Sequence, residues 1–184
     1  MRRALIALTA ALGLVLVGCS ADQEDPAQQL LAPHGLDGMQ TTDLIDHMDR
    51  LGGPDRPSDL LASVRADTLL LSDGTTEQEL PIEGEEFYLS FAPYLNQTHD
   101  CFYHSLTTCQ AELPNTAMDV LITGADGEVY VDEEMTTFDN GFMGVWLPKD
   151  VEATLEVSVD GLSATQDIST DVQAPTCLTT IRLG

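Results

Sequence analysis

Apolar positions recur along this chain with two different periods, and the change falls near Ala66. From Leu30 to Val64 the spacing is helical. Thr42 is placed to cap a helix in which Leu44, Ile45, Met48 and Leu51 fall at i, i+1, i+4 and i+7 on one face. Gly52-Gly53-Pro54 ends it, and Asp55 to Asp59 reads as a turn into a second short helix carrying Leu60, Leu61 and Val64. Helices this short need a partner surface to be stable. His34 and His47 lie in this region, without ligand partners at useful spacing, and are expected to face solvent.

Beyond Ala66 the period becomes two. Thr68 to Leu71 and Gln78 to Ile82 flank Ser72-Asp73-Gly74 as a hairpin, and Glu86 to Phe91 follows as a strand. Met118 to Thr123 and Glu128 to Asp132 flank a turn at Ala125-Asp126-Gly127, and Gly141 to Leu147, Glu152 to Val159 and Leu162 to Ile168 complete the run. Val151, Ala153, Leu155, Val157 and Val159 alternate with polar neighbours, so that strand has one dry and one wet face. Around Trp146 both faces are apolar, which predicts a strand covered on both sides with Trp146 in the packing. A closing strand over Cys177 to Leu183 finishes the pattern. The predicted class is α+β: a small helical domain over residues 30–66, then a larger antiparallel β-sandwich-like domain over 67–184.

The N-terminal end modifies this picture. Met1-Arg2-Arg3, an uncharged apolar run from Ala4 to Val17 and Leu16-Val17-Gly18-Cys19 read as an export signal over residues 1–18, with Cys19 as the expected lipidation site. The run is shorter than the roughly 20 residues that span a bilayer. Residues 19–29 are polar and acidic and are expected to form a flexible tether, so membrane contact is through the lipid alone. The chain carries 31 acidic residues against 7 basic ones, a formal net charge of −24. Such a surface repels phosphate backbones and gathers cations, which excludes nucleic acid as a partner. No G-x-S-x-G elbow or H-E-x-x-H helix is present to support a hydrolase.

With Cys19 set aside, three cysteines remain, and an odd number cannot be consumed by internal disulfides. Cys101 and Cys109 share a segment with His99 and His104, two of the four histidines, while Cys177 lies near the C-terminus. A set of two or three soft thiolates favours Cu(I), whereas zinc prefers four donors. His104 has two readings, as a ligand or as a donor that orients a thiolate. The competing reading is a disulfide between two of the cysteines in a structural or adhesive sandwich.

Phe87 to Tyr94, Gln97-Thr98-His99-Asp100-Cys101, His104 to Cys109 and Cys177-Leu178-Thr179-Thr180 resemble the CueP family of periplasmic copper-binding proteins, as do Gly35 to Gly38 and Asp55 to Arg65. The resemblance implies an exported protein of copper tolerance. Its copper ligands fall on Cys101, Cys109 and Cys177, with His99 and His104 beside them. It further implies delivery of copper to a copper-zinc superoxide dismutase or another copper enzyme, thiol-dependent reduction of Cu(II) to Cu(I), and protomers that pair through the helical domain.

Overall fold

The computed structural model describes residues 25–184. The expected signal segment, Cys19 and the first part of the expected tether lie outside them. Where the description begins, the tether expectation fails: Pro26–Leu31 forms a helix, α1. Asp25 caps it by accepting from the Ala27 amide at 3.0 Å, Pro26 opens it, and Ala27, Leu30 and Leu31 are buried. The i, i+3, i+4 spacing of these three gives even a six-residue helix a dry face.

A second helix, α2, covers Thr41–Asp49 and buries Leu44, Ile45, Met48 and Asp49. It starts one residue before the expected cap, after Gln40, and Leu51 lies beyond its end. The predicted second helix around Leu60 to Val64 is instead strand β1, Leu61–Val64. Leu60, Ala62 and Val64 are buried while Leu61 is 42% exposed, a period of two that five residues could not distinguish from a helical stripe. Pairing with the next strand decides it, because β2, Thr68–Ser72, otherwise presents an open edge with three buried leucines.

The remaining strands are β3 Glu77–Pro81, β4 Glu86–Phe91, β5 His104–Ser105, β6 Ala117–Gly124, β7 Val129–Thr136, β8 Met143–Pro148, β9 Glu152–Val159, β10 Leu162–Ser169 and β11 Cys177–Leu178. They form three sheets, ordered β3-β2-β1-β5, β10-β9-β6-β7 and β11-β4-β8. The class is α+β, with a short helical N-terminal segment and mostly antiparallel sheets. The expected closing strand is shorter than its pattern suggested: β11 has two residues and runs parallel to β4, and only an isolated bridge between Tyr94 and Arg182 continues it.

Two cores share the β4-β8 pair. On one side Phe87, Leu89 and Phe91 of β4 and Met143, Val145 and Leu147 of β8 pack against Met118, Val120 and Ile122 of β6 and Ala153, Leu155 and Val157 of β9. On the other, Tyr88 and Trp146 meet Leu44, Ile45 and Met48 of α2 together with β1, β2 and Leu106. Both faces of β8 are thus covered, as its apolar pattern predicted, and the helices share one core with the β1-β2 sheet. Cys109 and Cys177 lie in a third, smaller cluster with Ala92 and Phe142, and Cys101 packs against it.

Candidate metal centre

The segment 101–109 owes its shape to contacts with distant strands. Ser105 and His104 of β5 pair with Ser63 and Val64 of β1. The His104 amide donates to Thr176 Oγ1 at 3.0 Å, and that hydroxyl donates to the Val64 carbonyl at 2.7 Å, so one threonine ties β1, β5 and the approach to β11. Leu106, fully buried, anchors the following turn. That turn closes through the Cys109 amide, which donates to the Ser105 carbonyl at 3.1 Å. Arg56 clamps it by donating to the carbonyls of Cys109 at 2.6 Å and Leu51 at 2.8 Å.

These constraints bring together residues 76 positions apart. Cys101 and Cys177 form a disulfide with Cα atoms 5.6 Å apart, and Cys109 is a free, buried thiol. Its Sγ lies 3.5 Å from Cys101 Sγ. The sulfurs of Cys101, Cys109 and Cys177 and a ring nitrogen of His104 all fall within 4.8 Å of one another. His99 stays outside this group. It is exposed, with its ring 6.2 Å from that of Phe142, while the ring of His104 packs at 4.7 Å from the same phenyl group.

Behind His104 sits a residue that the sequence reading passed over. Asp49, the last residue of α2, is 0% exposed, and its Oδ1 lies 2.7 Å from His104 Nε2. Its carboxylate also accepts from Tyr88 Oη at 2.7 Å, Ser90 Oγ at 3.1 Å and Asn140 Nδ2 at 2.9 Å. Asn140 donates as well to the Asp49 carbonyl at 2.6 Å. Asp49 stands four residues after Ile45 on the apolar stripe of α2, and an acidic residue in that position was the one available signal.

The pair is charged at neutral pH. Burial alone would raise the pKa of Asp49, but the opposing charge and hydrogen bond of His104, with those from Tyr88 and Asn140, lower it to about 2. Burial would likewise depress His104, and the Asp49 carboxylate outweighs it, raising the pKa to about 9. The Cys109 thiol is pushed up by burial and pulled down more strongly by the adjoining His104, so it lies below its ordinary value. His104 Nδ1 is buried and makes no hydrogen bond of good geometry, with the Cys109 thiol as its polar neighbour. Since Nε2 is taken by Asp49, Nδ1 is the nitrogen free to serve the sulfurs.

With its pKa raised to about 9, His104 carries a proton on Nδ1 at neutral pH, so a cation would enter here by displacing that proton and pairing Nδ1 with the Cys109 thiolate. With the disulfide closed the donors are Cys109 and His104; with it open they are three thiols and an imidazole, a set that suits Cu(I) or zinc. The family model for the periplasmic copper-binding protein CueP matches residues 43–182. The chain belongs to the CueP family. A solved crystal structure, that of S.CueP, is 44% identical, with a TM-score of 0.82 over 87% of this chain and 98% of that one. Comparison with curated proteins gives no match. The match to the family model includes α2 from Asp43 onward, so Asp49 and all three clustered cysteines lie within the CueP region.

Proposed function

We propose that this chain is an extracytoplasmic copper-binding lipoprotein that holds Cu(I) on Cys101, Cys109 and Cys177, with His104 as a nitrogen donor, and so contributes to copper tolerance. The observation that carries the reading is the convergence of three sulfurs and one buried imidazole within 4.8 Å. Thiolates and a single nitrogen are soft enough to prefer Cu(I), and the CueP family to which the chain belongs is one of copper-binding proteins. His99, exposed beside the site, is assigned to the approach of the ion.

The same cysteines support reduction of the incoming metal. When Cys101 and Cys177 are thiols, each loses a proton and an electron as the S–S bond forms; the two electrons convert two Cu(II) to two Cu(I), and the protons pass to solvent. In that oxidised state Cys109 and His104 remain to retain one Cu(I), whereas the three-thiolate set belongs to the chain with the disulfide open. The other is released, for a copper-zinc superoxide dismutase or another copper enzyme as client. Lipidation at Cys19 and pairing of protomers through the helical segment complete the proposal.

Anaerobic addition of Cu(II) to the reduced chain tests it. The expected result is about two Cu(I) per chain, trapped by a chromophoric chelator, with a fall in free thiols from three toward one. The Cys109→Ser chain should still yield Cu(I) but fail to retain it. The disulfide itself favours a second reading, a permanent staple between the 101–109 segment and β11. An unchanged thiol count with no Cu(I) uptake would select the staple.

A further inference from the structure

We propose that Asp49 is a positioning residue of the metal centre: α2 delivers its carboxylate to Nε2 of His104, which fixes the ring and leaves Nδ1 as its donor toward the three sulfurs. The inference rests on the copper-binding reading above and extends it to a residue of the helical segment.

The main chain of His104 is already held by β1 on one side and Thr176 on the other, so the remaining freedom is rotation of the side chain. The 2.7 Å contact between Nε2 and Asp49 Oδ1 removes it. Asp49 in turn has little freedom, because Tyr88 and Ser90 hold Oδ2, and Asn140 holds both Oδ1 and the main-chain carbonyl. Room for this arrangement depends on Gly144, which pairs with Ser90 across β4-β8; a Cβ there would collide with the Tyr88 hydroxyl. A structural ion pair alone has no need of an imidazole whose second nitrogen is buried against a thiol, with no hydrogen bond of good geometry, inside a group of three sulfurs. A metal ligand does. Ligating histidines regularly donate their other ring N–H to a carboxylate, which sets the tautomer and orientation of the nitrogen that binds the ion.

The test is the Asp49→Asn chain, which keeps the size of the side chain. Cu(I) affinity, read by competition with a chromophoric chelator, should fall by about 10- to 100-fold. In a His104→Gln background the same substitution should cost no further affinity, because Asp49 acts only through that ring. Wild-type affinity in the Asp49→Asn chain, or an equal loss in both backgrounds, would overturn the proposal. Should the variant fail to fold, the wild type decides: long-range 1H–15N spectra of the Cu(I)-loaded protein should show His104 protonated at Nε2 and metal-shifted at Nδ1, and metal at Nε2, or at neither nitrogen, would overturn it. Failure of the copper reading itself is distinct, since the wild type would then take up no Cu(I).

Discussion

The four-stranded sheet β10-β9-β6-β7 and the corner around Asp49 are stabilised by opposite means. In the sheet, strands β6 and β9 contribute one dry face each, and Met118, Val120, Ile122, Ala153, Leu155 and Val157 enter a shared apolar core. Its stability is spread over many interchangeable contacts. In the corner a few polar groups converge from positions 39 to 91 residues apart on one buried carboxylate. The sheet tolerates change that keeps volume; the corner depends on identity, because each member left alone is a desolvated polar group.

Removing the carboxylate should therefore have the largest effect. Asp49→Ala strands the buried His104 cation together with the Tyr88 and Asn140 donors, and an unpaired buried charge costs about 3–5 kcal/mol. Urea unfolding measures it. A loss below about 1 kcal/mol would mean that the corner is no more demanding than an exposed surface. Truncation in the sheet comes next. Leu155→Ala, at 1% exposure, should cost about 3 kcal/mol, yet leave Cu(I) affinity at the wild-type value, because the sheet only supports the centre from a distance.

The same contrast explains what the sequence could tell. Strands β4 and β9 were legible residue for residue, because alternation and turn residues are local and the core rewards them. The grouping of Cys101, Cys109 and His104 was legible as proximity along the chain. Its junction with Cys177 requires the last strand to lie beside that segment, and the Cys177 amide, donating to the Phe102 carbonyl at 3.2 Å, and the His104 amide, donating to Thr176 Oγ1 at 3.0 Å, meet the condition. Asp49 was hidden among 31 acidic residues, since nothing local separates a carboxylate bound for the interior from a solvated one. The error at β1 has the same origin: Leu60 to Val64 fits either period, and β2 chooses.

pH separates the two regions by a smaller, reversible effect. The folded pKa of His104 is raised to about 9, so the stabilisation from its charge is complete below about 6.5 and is lost as pH rises through 9. Asp49 is lowered to about 2, so its contribution is present above about 4 and is lost as pH falls through 2. Stability should thus be highest between roughly pH 4 and 6.5 and decline on the alkaline side by less than the Asp49→Ala loss. In a His104→Gln chain the alkaline decline should disappear; its persistence would move the titration to another group.

The smallest effect distinguishes the corner from an ion pair at the surface. Lys149 Nζ lies 3.0 Å from Asp67 Oδ1, and the aspartate side chain is 57% exposed. Water screens such a pair, and Lys149→Ala should cost about 0.5 kcal/mol at low salt. The chain's net charge of −24 adds a general repulsion that removal of any cation worsens, and this term too is screened by salt. At 1 M salt, where the Debye length is about 3 Å, the Lys149→Ala cost should approach zero. The Asp49→Ala cost should persist, because no ions reach a pair whose side chains are both 0% exposed. Parallel salt titrations of the two chains by urea unfolding make the comparison, and equal salt sensitivity would place Asp49 and His104 in contact with solvent.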